Sequence, residues 1–339
     1  MNIYEQQARN KRLTFLIFLV FFALLMAIGL GFDYFYLNTI NTSSVELKMN
    51  ADGYYEPVKK GASFFPIGTI SALIISAVMG INSSLNGHNI VIRSTKARIA
   101  FESDPKEKQF LNVIKEMSIA AGLPVPTGYI VPDDDLNAFT TGLSPEKSYI
   151  AITQGLLDKL NREELQAVVA HEMSHIKNYD MRLMTIAAVL MNSIALLSDW
   201  VVRSSVRGSV NVSGSSGKKG KGVVGPLFIF WIVLIILAPI LSRIMAMAIS
   251  RQREYLADAS AAELTRNPLS LISALEKIRN AVEPTYSINN GIAHMCITDP
   301  RGSLLEEREG FLADLLATHP PMEKRILALK IIAYQMNNR

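Results

Sequence analysis

Ala170-His171-Glu172-Met173-Ser174-His175-Ile176 is the stretch whose reading decides the fold. It carries the pattern H-E-x-x-H, which on a helix sets two imidazoles and one carboxylate on a single face. At about 100° per residue, His175 lies roughly 40° round the helix from His171, and Glu172 roughly 100°. Leu165 and Val168 share that arc, so the face bearing the polar trio turns inward. Imidazole and carboxylate on an inward face cost free energy unless something pairs with them. A zinc ion would satisfy both rings at once. Asn161 is placed to cap this helix, and Glu164 three residues on has the capping-box spacing. Such a pattern arises by chance in roughly one chain per hundred, and a histidine pair bonded to backbone carbonyls is the plain alternative. The helix start, the inward arc and a carboxylate partner downstream favour the metal.

Of the 339 residues, 49% are hydrophobic and 19% charged, a balance that points to membrane segments joined to a soluble portion. The net charge of +4 is modest, and no basic stretch interleaved with aromatics suggests nucleic acid. Lysines and arginines gather beside the apolar segments, as they do where membrane orientation is encoded. The single cysteine, Cys296, excludes a disulfide framework within the chain and a cysteine-rich zinc site. It fits a reducing compartment and reads as a small buried residue.

The sequence predicts about four membrane spans around a split soluble domain. After a tail at 1–12 holding Arg9, Lys11 and Arg12, residues 13–32 are long enough to cross a bilayer. No A-x-A cleavage pattern follows, so this reads as a retained span with a cytoplasmic amino terminus. Residues 33–63 read as an external loop. A second span follows at 64–81, with Gly68, Ser71 and Ser76 suited to close helix contact. Arg93, Lys96 and Arg98 mark the cytoplasmic side again. Residues 95–182 form the first half of a soluble domain, with a helix from Lys106 to Ala121 and strands at 128–131 and 149–152. Apolar stretches at 183–202 and 223–249 give the third and fourth spans, with Asn192 and Asp199 in the former facing protein and Pro239 kinking the latter. Between them, 203–222 is a flexible loop whose five basic residues run against the charge rule if both stretches span. The second half of the soluble domain, 250–339, contains a helix opened by Asn267 and Pro268 that buries Leu271, Ile272, Leu275, Ile278 and Val282. Another helix follows Pro320-Pro321, burying Met322, Ile326 and Leu329.

A catalytic zinc usually keeps three protein ligands. The helix offers no third, because Asn178 and Met181 stand where the longer H-E-x-x-H-x-x-G-x-x-H pattern needs Gly and His. Glu254 is the best candidate, and Asp258 one turn on is placed to orient a ligand histidine. Ala257, Ala261 and Ala262 would let that helix approach closely; a surface helix with ordinary ion pairs is the alternative. Two spans between His175 and Glu254 would return the chain to the side it left.

These residues carry a resemblance. His171-Glu172-Met173-Ser174-His175, then Glu254-x-x-x-Asp258, Thr318-His319-Pro320-Pro321 and Asn137-Ala138-Phe139-Thr140-Thr141-Gly142 together resemble the HtpX family of integral-membrane zinc metalloproteases, relatives of the CAAX prenyl proteases. The resemblance runs from the first span to the carboxyl end, with 33–63 and 203–222 less typical. It implies a mainly α membrane protein with a cytoplasmic α+β zincin-like (gluzincin) domain built on a small sheet with an exposed edge. It implies one Zn²⁺ per chain on His171, His175 and Glu254, with Glu172 as catalytic base and Asp258 behind a ligand histidine. Asn137, Ala138 and Phe139 would pair with substrate on the edge strand, a mode open to any extended peptide. For His319 a role near the reacting atoms and a helix-capping role stand side by side. His88 and His294 read as structural or surface residues, and Arg325 as half of an ion pair. The implied function is cleavage of misfolded or damaged membrane proteins in quality control and stress response, with the polypeptide and the bilayer as partners. A prenyl-protein protease and an inactive zinc-binding scaffold are the rivals; a transporter finds little support in four spans with few buried charges.

Overall fold

A computed structural model describes residues 3–34, 45–49, 54–59, 66–191, 253–281, 287–288, 292–298 and 319–338, with the backbone alone at 3–11, 45–48 and 55–59. The chain divides into two compact units. One comprises Leu16–Ile81 and Ser193–Ile240; the other comprises Asn82–Asn192 and Leu241–Arg339 together with Met1–Phe15.

In the first unit, the carboxyl-terminal end of helix α1 (Ile3–Phe32) meets the start of helix α2 (Ile67–Ser94). The stretch Arg12–Phe32 and the helix Ile67–Ser94 are each long and apolar enough to cross a membrane. Phe15 and Leu19 on α1, and Ile74 and Val78 on α2, point outward as lipid-facing residues do. Small residues set the crossing. A Cβ at Gly29 would lie 2.7 Å from the Gly68 carbonyl oxygen and 2.8 Å from Ala72 Cβ. Glycine at both positions is what lets the backbones touch. Asp33 then closes the end of the pair, accepting from the Gly68 and Thr69 amides at 2.6 and 2.8 Å and from the Thr69 hydroxyl at 2.6 Å. Those amides are among the orphan donors at the start of α2, so the carboxylate caps it. Within the region read as an external loop lies a hairpin, β1 (Val45–Met49) with β2 (Tyr55–Lys59), antiparallel from Val45↔Lys59 to Met49↔Tyr55.

The second unit is built on a four-stranded sheet of β3 (Arg98–Ile99), β4 (Thr127–Val131), β5 (Ala138–Ser144) and β6 (Lys147–Thr153), ordered β3-β4-β6-β5. Only β4 and β6 run parallel, and the connection between them is the β5 hairpin. Helix α3 (Pro105–Ala121) starts where the sequence says a helix should, with Asp104 accepting from the amides of Lys106 and Glu107 and Pro105 opening the first turn. Its Phe110, Val113 and Ile114 join Ile130, Ile150 and Ile152 of the sheet in the main core. Helix α4 (Gln154–Lys159) links β6 to α5 (Arg162–Lys177), the H-E-x-x-H helix. At the start of α4, a Cβ on Gly155 would fall 1.9 Å from the Asp134 carbonyl oxygen, so nothing larger fits.

Helix α6, described over 180–191, packs inside this unit: Leu183, Met184, Ile186, Ala188 and Leu190 are all buried. The start of the stretch read as a third span thus lies in protein rather than lipid. The rest of that stretch, the basic loop and the fourth span lie outside the described residues, as does Val282. Helix α7 (253–265), α8 (Pro268–Arg279) and α9 (Met322–Asn337) complete the unit. Leu271 and Leu275 of α8 and Ile326 and Leu329 of α9 enter the main core with Leu165 and Val168 of α5.

Candidate metal centre

The helix that carries the site is fixed at both ends. Asn161 accepts from the Glu164 amide at 2.9 Å, and Glu164 accepts from the Asn161 amide at 2.8 Å, the reciprocal box read from the sequence. Burial alone would raise the Glu164 carboxyl, but Lys277, Ser273 and the Asn161 amide together hold it below its ordinary value. At the far end Tyr179 adopts a left-handed conformation, φ 60°, and turns the chain back at once into α6. That turn brings Asp180 to the active face, its Oδ2 3.4 Å from Nδ1 of His175.

His171, Glu172 and His175 are buried, and the two imidazoles stand nearly perpendicular, 86° apart, with centroids at 5.0 Å. Glu254 on α7 meets them, its Oε2 3.5 Å from His171 Nε2 and its Oε1 3.7 Å from His175 Nε2. One ligand atom from each of His171, His175 and Glu254 lies within 4.8 Å of the others. Tetrahedral bonds of about 2.0–2.1 Å to zinc place ligand atoms roughly 3.3 Å apart, close to these separations. Both ring nitrogens of His171 and Oε2 of Glu254 are buried without a hydrogen-bond partner among the described residues. A buried polar atom left so is costly, and a cation between the three removes the cost. The donor set of two nitrogens and one oxygen suits zinc.

Behind the ligands stands a charged frame. Asp258 Oδ1 is 3.0 Å from His171 Nδ1, though outside hydrogen-bonding angle. Arg325, fully buried, grips Asp258 with Nε and an Nη at 2.8 and 2.7 Å, and donates its other Nη to the Ile297 carbonyl at 2.8 Å. The same guanidinium stands 3.5 Å from Glu254 Oε2. Burial would raise Glu254, yet His171, His319 and Arg325 beside it hold its carboxyl well below the usual range. Burial likewise opposes ionisation of His171, but Asp258 and Glu254 push that imidazole up to about 9. Glu172 moves the other way: burial raises its carboxyl, with His171, His175 and the Thr140 hydroxyl opposing.

His319 sits beside this frame, its Nε2 donating to the Ala293 carbonyl at 3.0 Å and its Nδ1 3.8 Å from Glu254 Oε2. His294 is structural, donating to the Met184 carbonyl at 3.1 Å, and burial drops its imidazole to about 4. His88 stacks on Tyr149 at 4.8 Å. Asn137, Ala138 and Phe139 lie where the sequence puts them, at the start of the outermost strand beside the metal helix, but that edge is covered. Ile297 donates its amide to the Ala138 carbonyl at 2.9 Å, Cys296 bridges Phe139, and Asn137 Nδ2 reaches the Thr298 carbonyl at 3.3 Å. Further along, the Gly142 amide donates to the Thr185 hydroxyl at 3.1 Å. Asp180 and Thr140 are the site residues that sequence reasoning missed. Asp180 was within reach, five residues past His175; Thr140 depends on the meeting of β5 and α5, which no local pattern shows.

Comparison with known proteins gives the family. Residues 105–333 match the description Peptidase family M48. The chain is 36% identical over 328 residues to a protease HtpX homolog of Streptococcus agalactiae serotype III (strain NEM316), spanning 97% of this chain and 99% of that protein. A protease HtpX homolog of Streptococcus uberis (strain ATCC BAA-854 / 0140J) is also 36% identical, over 330 residues, with the same coverage of both chains. The crystal structure of S. mikatae Ste24p is similar at 19% identity with a TM-score of 0.44, over 76% of this chain and 57% of that one. The chain belongs to peptidase family M48, alongside the HtpX homologs, and is a metalloprotease.

Proposed function

We propose that this is an integral-membrane zinc endopeptidase, facing the cytoplasm, that hydrolyses peptide bonds of misfolded or damaged membrane proteins. One observation carries the reading: three ligand atoms from His171, His175 and Glu254 converge within 4.8 Å, with Glu172 next in sequence to the first. Zinc held there supplies an acidified water and a Lewis acid for the scissile carbonyl. Glu172 takes the proton of the attacking water and delivers it to the leaving amine. Its burial, which raises the carboxyl, suits it to both halves of that transfer. Asp180 bonds the outer nitrogen of His175, and Asp258 stands 3.0 Å from that of His171, so each carboxylate is placed to favour the tautomer that presents the other nitrogen inward. Protonated on both nitrogens, His319 would have an Nδ1 proton to offer the oxyanion of the tetrahedral intermediate, its Nε2 proton being held by the Ala293 carbonyl. Asn137, Ala138 and Phe139 form the strand against which the peptide lies, and backbone pairing at Ala138 requires Ile297 to give way. The two helices long enough to cross a bilayer support the membrane setting.

The test is zinc stoichiometry and product mapping on the protein purified in detergent, with casein, an unfolded membrane protein and a prenylated peptide as substrates. Internal cleavage of the first two, abolished by chelation and by Glu172→Gln, is expected. Cleavage of the prenylated peptide alone would replace this reading with a processing protease. Bound zinc without any cleavage would replace it with a scaffold.

A further inference from the structure

We infer that Thr140 positions the base Glu172, a role that rests on the peptidase reading above. Thr140 is fully buried on β5, in the fourth place of Asn137-Ala138-Phe139-Thr140. Its hydroxyl lies 2.5 Å from Glu172 Oε2 and 3.3 Å from the Glu172 carbonyl oxygen. A hydroxyl has one proton to give, and the nearer, charged acceptor takes it. Among the described residues, no other hydrogen-bond donor reaches that carboxylate.

The geometry gives this bond a specific consequence. A glutamate side chain turns about three bonds, while a base works only within hydrogen-bond reach of the proton it abstracts. With Oε2 tied to the sheet, the carboxylate pivots about one anchored atom, and the other oxygen is left for the water. The anchor is itself stiff, because a β-branched side chain has few rotamers on a strand. Thr140 also directly follows Phe139, which is bridged to Cys296, so the residue that aims the base belongs to the strand assigned to substrate. Ordering of that strand by a peptide is thereby felt at the carboxylate through one hydrogen bond.

The experiment compares wild type, Thr140→Val, Thr140→Ser, Glu172→Gln and the Thr140→Val/Glu172→Gln double variant, measuring zinc content, kcat and KM on an unfolded polypeptide. Thr140→Val keeps the shape, loses the hydroxyl, and is expected to lower kcat about tenfold with KM within about twofold and zinc unchanged. Thr140→Ser, which restores the hydroxyl, should stay within about threefold of wild type. In the Glu172→Gln background, adding Thr140→Val should change the residual rate less than about twofold, because the group it acts through is already gone. Thr140→Val turning over at the wild-type rate, or Thr140→Ser losing as much as valine, or full additivity in the double variant, would each overturn the assignment. Thr140→Ala is read by the same criteria should the valine variant fail to hold zinc. A wild type without zinc-dependent cleavage sinks the peptidase reading instead, which keeps the two failures apart.

Discussion

At the scale of single residues, the centre divides into groups that hold an ion and groups that hold those groups. Glu172→Gln preserves both imidazoles and Glu254, so zinc content should stay near wild type while hydrolysis is lost; His171→Ala should lose both. An active Glu172→Gln protein in the casein assay overturns the base assignment. Arg325 is a different case. Its planar fork meets Asp258 with two bonds and the Ile297 carbonyl with a third, a geometry lysine cannot copy. Removing it with Arg325→Met leaves Asp258 and Glu254 buried without their cation, at a cost of about 3–5 kcal/mol. Thermal unfolding should show a drop of several degrees in the metal-free protein, and an unchanged midpoint would contradict the frame. The three residues that converge were legible in the sequence as candidate ligands because H-E-x-x-H is a local pattern and Glu254-x-x-x-Asp258 repeats the helical turn. Thr140 and Arg325 were not legible in the same way, since their work is defined only where separate elements meet.

At the scale of elements, caps and crossings carry the stability that local sequence can specify. Asn161→Ala removes one side of a box whose partner also bonds Ser273 and Lys277, and should cost about 1 kcal/mol, measurable as a lower unfolding midpoint. Glu164 and Glu107 add a pH dependence whose sign follows from their shifts. Arg98 and the Phe101 amide hold the Glu107 carboxyl below its usual 4.5, with burial opposing. A carboxyl depressed in the folded state stabilises above its unfolded value and loses that contribution as pH falls through its folded one. The unit built on the four-stranded sheet should therefore weaken below about pH 4.5, and Glu107→Gln should flatten that acid limb in a denaturant series. The helices of this unit were readable from periodicity and capping, and the two parallel strands from their apolar runs. The hairpin at 45–59 escaped because Pro57 and the charged residues around it give no clean alternation. The start of α6 is buried, in keeping with a stretch read as facing protein, and an apolar run long enough for a bilayer also serves as a core helix.

At the scale of the whole molecule, orientation across the bilayer can be read chemically because the chain has one cysteine and it is buried. With Cys296→Ser as background, a cysteine at exposed Tyr54 should react with an impermeant maleimide in intact cells, and one at exposed Glu102 only after permeabilisation. The opposite pattern would place the zinc residues outside. The cover that Cys296 and Ile297 lay on the outermost strand has a further consequence at this scale. A hydrolase that feeds on unfolded chains is constantly offered extended backbone, and an unsatisfied row of amides and carbonyls anneals with such chains indiscriminately. By keeping its own residues along that row, the resting molecule withholds the start of the strand from such chains, and an extended peptide pairing there would first have to displace them.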